Sequence, residues 1–411
     1  MRKFLIFFLA ISFSQDFNWE VITSILNPTD VQILSPSEVY ASTNGGVVKY
    51  SLDSGLYEEI GFEEGIHPLD LKSLKVDNNF LSLSDKDGTL QVYSFKNGYV
   101  EKVNHLDFID EITDLNIFQD YLFAIGNNET KDGLLQFKGY GNQIYYNSFF
   151  QNFPISFSDI NDIYIIDDVI YLGLDSGLIS ANLNSSSLYL SSEWTIIDDQ
   201  ASVLQITDNF YFTYNSIKKL QDASIVLNIN SKPIDSKYDI QSSTLNWIDE
   251  HKFYELDING QVWEFVNPYD LDGEHISINA FDRLGHDIVI GIENHGLTHI
   301  SRLNSHIQTY IPNSILSNQI SALLVSEDGT LSGVGQKVGF YSEDDSYLHF
   351  YSMAYGYDYP NWNEGFPAYK LNYLVGNFFP TSILKSDRDT YLFNNYGIFL
   401  NSDIGSGGVV E

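Results

Sequence analysis

A short β-rich pattern returns about every 42 residues along this chain and limits the fold more than any other feature. Each copy has a run of β-branched and aromatic residues, a polar gap with glycine, and a second such run. The clearest copies are residues 39–48, 171–178 and 289–297. The glycines that mark the copies are Gly46, Gly88, Gly133, Gly177, Gly260, Gly296, Gly339 and Gly397. A ninth copy, at residues 209–214, has Asn215 in place of the glycine.

Each copy is predicted to form four short strands. In the first copy these are residues 31–34, 39–42, 47–51 and 56–60, each bounded by Asp, Asn, Ser or Gly. The marker glycine is expected in the hairpin between the second and third strands, because tight hairpins need residues that tolerate positive φ. No stretch of the chain has a sustained helical period, so the fold is predicted to be all-β.

Four short strands every 40–50 residues are typical of a β-propeller blade, whereas sandwiches lack a repeat of constant length. Propellers typically hold about four to eight blades, and nine copies exceed that number. We therefore predict a single β-propeller of about eight four-stranded blades, with seven to nine allowed. An N-terminal strand at residues 19–23 is expected to close the ring by pairing with the last unit, residues 382–401, in which no outer strand is apparent.

The chain is predicted to divide into three segments. Residues 1–14 have the pattern of a signal peptide, with Arg2 and Lys3 before an apolar run and small residues at the cleavage site. Residues 15–401 form the propeller, with an irregular insert at 353–373. Residues 402–411 form a tail that resembles the middle of a further unit, as though the chain were the front part of a longer protein. The signal peptide places the protein in the periplasm, at the outer-membrane surface or outside the cell.

The amino-acid composition argues against some classes of partner. With 55 acidic against 21 basic residues the net charge is −34, which argues against nucleic acid or anionic lipid as the main partner. No apolar run reaches the roughly 20 residues that a spanning helix needs, so no membrane insertion is expected after signal cleavage. The chain has no cysteine, which excludes disulfides and cysteine-bound metal and suits a bacterial exported protein stabilised by a large core. A monomer is expected.

Candidate chemical motifs are better explained as turns. His286, His295, His299 and His306 fall within one unit, but strand alternation does not bring the His295 and His299 imidazoles together. Residues 51–57 partly match the Asp-box hairpin of sialidase propellers, and the acidic pairs at 85–88 and 387–389 suit hairpin turns better than calcium. No nucleophile motif or cofactor fingerprint is present. We therefore predict no catalytic, cofactor-binding or metal-binding residues, and no cofactor.

The insert at 353–373 is the best candidate for an interaction surface. It carries Tyr355, Tyr357, Tyr359 and Trp362 among small polar residues, a composition that suits contact with carbohydrate or protein. The alternative is that these aromatic side chains pack against the ring.

The repeat resembles the two-component regulator propeller repeat. The resemblance is clearest from the inner-strand segment 319–323, through Asp328-Gly329-Thr330-Leu331, to residues 338–341. Ser332 stands where that family usually has tryptophan. The first unit, residues 39–50, is similar to the N-terminal propeller of PorZ-like proteins, which implies a location at the outer-membrane surface in type IX secretion. The kinase of the sensor family and the second propeller and sorting domain of PorZ-like proteins have no counterpart in these 411 residues.

The favoured hypothesis is an exported, non-catalytic propeller that acts as a binding or scaffold module of the bacterial envelope, with an envelope protein or a glycan as partner. One alternative is a secreted propeller enzyme acting on polysaccharide, since 55 acidic residues make carboxylate pairs inevitable. The other is the ligand-sensing part of a two-component receptor.

Overall fold

The described residues form nine four-stranded antiparallel sheets that follow one another along the sequence. The computed structural model describes residues 21, 23–67, 69–141, 144–184, 187–267, 276–312, 314 and 318, and the backbone of the strands between 320 and 410. In every sheet the strands are adjacent in chain order. The nine sheets correspond to the nine copies predicted from the repeat, and the all-β fold is confirmed.

Seven of the sheets are the blades of a ring. Blade 1 has β1 (Pro28–Ser35), β2 (Glu38–Thr43), β3 (Gly46–Ser51) and β4 (Tyr57–Ile60); blade 2 has β5 (Leu71–Val76), β6 (Phe80–Asp85), β7 (Thr89–Ser94) and β8 (Tyr99–His105); blade 3 has β9 (Glu111–Phe118), β10 (Tyr121–Asn128), β11 (Lys131–Lys138) and β12 (Tyr145–Phe150). Blade 4 has β13 (Ile160–Ile166), β14 (Val169–Leu174), β15 (Gly177–Asn182) and β16 (Thr195–Asp198), with a 3₁₀ turn at Ser191–Glu193. Blade 5 has β17 (Gln205–Thr207), β18 (Phe210–Phe212), β19 (Ser216–Lys219) and β20 (Ile225–Asn228); blade 6 has β21 (Asp235–Asp239), β22 (Thr244–Ile248), β23 (Lys252–Leu256) and β24 (Val262–Val266); blade 7 has β25 (Ile278–Leu284), β26 (Asp287–Ile292), β27 (Gly296–Ser301) and β28 (His306–Tyr310).

The core of the ring lies between the blades. Seven clusters of buried hydrophobic side chains occupy the seven junctions of the described ring, one at each. The middle strands supply most of these buried side chains, because neighbouring blades cover both faces of each blade. In β2, for example, every residue from Val39 to Thr43 is buried. The ring is thus a closed circle of packed sheets.

The marker glycine allows a close chain crossing as well as a turn. Gly88 has φ +68° in the hairpin between β6 and β7, and a Cβ there would lie 2.2 Å from the carbonyl oxygen of Ile109, just beyond the fourth strand. Gly177 and Gly296 meet the carbonyl oxygens of Asp198 and Tyr310 in the same way. In each of these blades the chain leaving the fourth strand passes directly over the hairpin, where a side chain has no room.

Two marker glycines lie elsewhere in their units than predicted. Gly133 lies inside β11, where a Cβ would meet the ring of Phe149 at 2.5 Å. Gly260 lies in the hairpin between the third and fourth strands of blade 6. The second hairpin of that blade is shaped instead by Asp249, whose carboxylate accepts hydrogen bonds from the backbone N–H groups of His251 (2.9 Å) and Lys252 (2.7 Å). These hydrogen bonds to the Asp249 side chain stabilise the turn, which therefore does not need glycine.

The ring closes between blade 7 and blade 1. β25 lies against β1, and the Asp282 carboxylate accepts a hydrogen bond from the Ile33 N–H at 2.7 Å. Seven blades lie within the predicted range, although the central estimate of eight was one too many. Residues 23–27 cross the junction between blades 7 and 1 without forming a strand. The pairing of residues 19–23 with 382–401 stays a prediction, because residues 19, 20 and 22 lie outside the described residues.

Two further sheets follow the ring. One has β29 (Ile320–Val325), β30 (Leu331–Lys337), β31 (Phe350–Asp358) and β32 (Tyr369–Tyr373); the other has β33 (Ser382–Lys385), β34 (Asp389–Asn394), β35 (Gly397–Ser402) and β36 (Gly408–Val410). Their first strands, β29 and β33, lie against each other as inner strands do in the ring. The predicted propeller range of 15–401 therefore includes the ring and these two sheets except for Ser402 and β36.

Two details of the sequence prediction are corrected here. The last unit has its outer strand, because β36 pairs with β35 within the predicted tail. The insert at 353–373 is strand at both ends, where residues 353–358 belong to β31 and 369–373 to β32. Tyrosine-rich sequence favours extended backbone strongly enough to outweigh the interspersed glycine.

Candidate functional site

A central channel runs through the ring and encloses a cavity of about 460 Å³. Its wall is made by the first strands of the seven blades, β1, β5, β9, β13, β17, β21 and β25. Seven aspartates line it: Asp30, Asp114, Asp162, Asp208, Asp235, Asp239 and Asp282. The cations in the described wall are Lys75, Lys237 and Arg283. The described wall of the channel is therefore acidic, with seven carboxyl groups against three cations.

A recurring bulge directs side chains into the channel. The inner strands of blades 1, 2, 4 and 7 each skip one residue at the same place, ahead of Asp30, Ser73, Asp162 and Ala280. A bulge bends its strand and re-aims the residues beside it. In blades 1 and 4 the residue that follows the bulge is an aspartate of the channel wall.

The channel aspartates tie neighbouring blades together. The Asp30 carboxylate accepts hydrogen bonds from the Leu74 N–H (2.9 Å) and the Ser73 hydroxyl (3.0 Å) of the next blade. The same type of tie joins Asp114 to Ile163 N–H at 3.0 Å, Asp162 to Ile206 N–H, Asp235 to Phe281 N–H at 3.5 Å and Asp282 to Ile33 N–H at 2.7 Å. Between blades 5 and 6 the Thr207 hydroxyl accepts from the Tyr238 N–H at 2.8 Å.

The other two aspartates of the wall are also engaged. Asp208 accepts a hydrogen bond from the Tyr164 hydroxyl at 2.7 Å. Asp239 accepts from the N–H groups of Ser242 (2.7 Å) and Gly285 (3.2 Å). Every aspartate of the described wall therefore holds a hydrogen bond from another part of the ring.

Lys75 lies among the channel carboxylates, and its positive charge offsets part of their negative charge. Burial lowers its pKa, but the surrounding charges of Asp114, Asp30, Asp282 and Asp235 outweigh burial and raise it above the ordinary value. The ammonium group thus stays protonated and balances part of the negative charge. Lys237 forms an ion pair with Asp282 on β25, the inner strand of the next blade.

Burial raises the pKa of three channel carboxyls. The pKa of Asp30 is raised to about 6 by burial, against the opposing charge of Lys75. The pKa of Asp235 is raised to about 8 by burial and by the negative charge of Asp30. The pKa of Asp162 is raised well above its ordinary value by burial and by the charge and hydrogen bond of Asp114. At neutral pH the wall therefore holds protons, and its negative charge is smaller than seven carboxylates would give.

The predicted interaction residues fall outside the ring. Tyr355 and Tyr357 lie in β31, and Tyr359 and Trp362 lie outside the described residues, so their role as an interaction surface stays a prediction.

The four histidines of blade 7 are not brought into one cluster. His299 Nε2 lies 2.9 Å from the Asp287 carboxylate, and His295 Nδ1 lies 2.8 Å from the Glu293 carbonyl oxygen. His306 begins the outer strand β28. In the part of the chain that the structure describes, no three His, Asp or Glu side chains are arranged to hold a metal ion.

The acidic motifs at residues 51–57 and 85–88 form hairpin turns, as predicted. The Gly55 N–H donates to the Ser51 carbonyl at 2.9 Å, and the Asp85 carboxylate accepts from the Asp87 (2.8 Å) and Thr89 (3.1 Å) N–H groups. Residues 387 and 388 of the third motif lie outside the described residues.

The channel aspartates were missed by sequence reasoning. Their signal is weak because each is a single aspartate in or next to an inner strand, at a place that differs between blades. Asp30 and Asp162 follow the bulge directly, whereas Asp239 is the last residue of β21.

Ring, blades and channel together define a seven-bladed β-propeller protein. Among solved structures, the fold is similar to PorZ, described as an essential bacterial surface component of the type-IX secretion system of Porphyromonas gingivalis. The TM-score is 0.64 at 13% sequence identity, with 96% of this chain and 53% of that chain covered. This chain therefore spans about half the length of the PorZ structure.

The extracellular domain of the putative one component system BT4673 from B. thetaiotaomicron is also similar. The TM-score is 0.50 at 12% identity, with 95% of this chain and 67% of that domain covered. No protein-family model matches the chain, and no curated protein matches it. These likenesses establish the fold. Among the described residues, no helix has the length and apolar character needed to cross a membrane.

Proposed function

We propose that this protein is an exported, non-catalytic β-propeller that acts as a binding or scaffold module of the bacterial envelope. The observation that carries the proposal is the engagement of the channel aspartates, each of which accepts a hydrogen bond from elsewhere in the ring. Carboxyl groups committed to joining blades support a rigid ring.

Export is supported by the N-terminal sequence and by the fold. Arg2, Lys3 and the apolar run that follows have the pattern of a signal peptide. The two similar structures are, by their descriptions, a bacterial surface component and an extracellular domain. Fold likeness gives an analogy for function, and the analogy agrees with the signal peptide.

The location is tested by fractionating cells that express the tagged full chain and by treating intact cells with protease. We expect the chain in the envelope or medium, shortened at its N-terminus. The variant Leu9→Arg, which interrupts the apolar run, should accumulate inside the cell. A wild-type chain that remains in the cytoplasm would overturn the proposal.

The binding role is tested by cross-linking in intact cells followed by isolation of the tagged chain, which should recover an envelope protein or a glycan. Release of reducing ends from polysaccharides is measured on the same purified chain. We expect no release above the buffer control. Turnover that a single substitution such as Asp162→Asn abolishes would establish the enzymatic alternative instead.

A further inference from the structure

Two adjoining cavities open at the surface between blades 3 and 4, and Tyr189 contributes to the wall of both. Their volumes are about 410 and 390 Å³, which is the size range of ligand pockets. Aromatic rings and side-chain amides line both cavities. The aromatic residues are Phe118, Tyr121, Phe123, Phe149, Phe150 and Tyr189, and the amides are Gln119, Gln136, Gln151, Asn152 and Asn184. We call the two cavities together the Tyr189 groove.

Tyr189 is an exposed ring on an anchored loop. The loop joins β15 to β16, and its Leu188 side chain is buried in the core between blades 3 and 4. The Trp194 indole N–H donates to the Leu188 carbonyl at 3.2 Å, which fixes the backbone next to Tyr189. The Tyr189 ring contacts Phe150 edge-on at 4.7 Å, yet 59% of the residue is exposed. The hydroxyl groups of Tyr189 and Ser148 are hydrogen-bonded. A ring held in place but open to solvent is prepared for a ligand, because little further ordering is needed on binding.

The groove has little net charge, in contrast to the rest of the molecule. The chain carries 55 acidic residues, and seven aspartates line the channel. No described residue of the groove wall is a carboxylate, and Lys131 is its one charged member. The Lys131 ammonium donates to the Gln151 carbonyl at 3.1 Å and lies 3.9 Å from the centre of the Phe157 ring. The lysine is thus engaged with the protein itself, and the groove presents rings and amides.

We infer that the Tyr189 groove binds an uncharged oligosaccharide. The apolar C–H face of a sugar ring packs on an aromatic ring, and side-chain amides offer donors and acceptors to sugar hydroxyls. The Gln151 amide offers its oxygen only, because its N–H groups donate to the carbonyls of Lys131 (3.1 Å) and Asp132 (3.3 Å). Two cavities that share one exposed ring suit a chain of several sugar units better than a single small molecule. This inference rests on the proposed function, because it names the ligand class and the surface through which an envelope module would bind.

The inference is tested by calorimetric titration of the purified mature chain with four uncharged hexasaccharides: cellohexaose, maltohexaose, mannohexaose and xylohexaose. Hexagalacturonate is the charged comparison. The variants are Tyr189→Ala, Tyr189→Phe and Tyr214→Ala. Tyr214 is the matched control, because it is 56% exposed and belongs to blade 5, away from the groove. Thermal unfolding of each variant verifies that the ring is intact.

We expect at least one uncharged hexasaccharide to bind more tightly than hexagalacturonate. Tyr189→Ala should raise its Kd by at least about tenfold, as loss of a central aromatic anchor does. Tyr189→Phe keeps the ring and should change Kd by less than about threefold, and Tyr214→Ala should leave it unchanged. The inference is overturned if none of the four sugars binds, if the charged sugar binds best, or if Tyr189→Ala behaves like Tyr214→Ala.

The same variants separate this inference from the proposed function. If Tyr189→Ala still reaches the envelope and still cross-links to a protein partner while no sugar binds, the groove inference fails and the envelope role stands. If the wild-type chain stays in the cytoplasm but the purified chain binds sugar through Tyr189, the envelope role fails and the groove remains a binding site.

Discussion

At the scale of single residues, Asp30 shows how one carboxylate connects two blades. It belongs to blade 1, but its oxygen atoms accept from Leu74 and Ser73 in blade 2 and from its own neighbour Val31 at 2.8 Å. The same oxygens line the channel. A residue of this kind has a structural use that its position in a cavity does not reveal.

Replacement of Asp30 by alanine should therefore destabilise the ring. The N–H of the buried Leu74 would lose its acceptor, at a cost of about 1–3 kcal/mol in the free energy of unfolding. Asp30→Asn keeps an acceptor oxygen and should cost clearly less. Urea unfolding followed by tryptophan fluorescence measures both. Equal losses for alanine and asparagine would show that the charge, rather than the hydrogen bond, matters.

Asp235 makes stability depend on pH. Its pKa is about 8 in the folded chain against 3.8 ordinarily, so the folded state keeps a proton that the unfolded chain releases from about pH 4 upward. Stability therefore falls as pH rises between these values, because the unfolded chain gains free energy by ionising this carboxyl while the folded chain holds it protonated beside Asp30 and Asp282. We expect the urea midpoint to decrease from pH 5 to pH 8.

Asp235→Asn should flatten this dependence and raise the midpoint at pH 8, since the amide never ionises. Asp53→Asn, at an exposed turn, is the control and should keep the wild-type slope. If Asp235→Asn keeps the wild-type slope as well, the proton is held elsewhere in the channel.

At the scale of elements, the second hairpin of each blade explains the repeat that is visible in the sequence. Blade 2 contains two turn glycines with nearly equal backbone angles, Gly88 at φ +68° and Gly98 at φ +73°. A Cβ on Gly88 would lie 2.2 Å from the Ile109 oxygen, whereas a Cβ on Gly98 has no atom within 4 Å. Substitutions at Gly88 and Gly98 therefore separate the energetic cost of the backbone angle from that of the steric clash with the crossing chain.

Gly98→Ala should lower the free energy of unfolding by about 1–2 kcal/mol, because a side chain is unfavourable in the left-handed region. Gly88→Ala adds the clash with the crossing chain and should cost about 1–3 kcal/mol more. Thermal and urea unfolding of the two variants measure the difference. If the two variants are equally stable, the backbone angle alone accounts for the recurrence of glycine.

Prediction from the sequence succeeded where local chemistry decides the structure. All nine units were located, and the four strands of the first unit fall within two or three residues of β1–β4, because turn residues and β-branched runs act over a few positions. The unit around Asn215 was found without its glycine. The error at Gly260 arose because the third hairpin of a blade can contain glycine as well as the second.

The number of blades in the ring could not be derived in the same way. It depends on the contact between β1 and β25, which are about 250 residues apart, and every unit has a similar inner strand. The Tyr189 groove escaped prediction for a related reason, because its walls come from two blades and a loop. In both cases contacts between distant segments decide the structure.

At the scale of the whole molecule, the ring is closed by side chains and an N-terminal segment rather than by a shared sheet. The Gly296 N–H of blade 7 donates to the Leu26 carbonyl at 3.0 Å, and the Thr23 hydroxyl donates to the Gly45 carbonyl of blade 1 at 2.7 Å. The Ile25 N–H donates to the Ser314 hydroxyl at 3.0 Å. Residues 23–27 thus connect the first blade, the last blade and the chain that leaves the ring.

Ile25 allows a test of this closure. Its side chain is 2% exposed and belongs to the hydrophobic cluster shared by blades 1 and 7, so Ile25→Ala should cost about 2–5 kcal/mol. Hydrogen exchange should rise in β1 and in β25 together, although residue 25 belongs to neither strand, and should rise less in blade 4 on the far side of the ring. Ile240→Ala, at a residue 75% exposed, is the matched control and should change neither stability nor exchange. An increase confined to residues 23–27 would mean that the segment only covers a ring already held closed by the contact of β1 with β25.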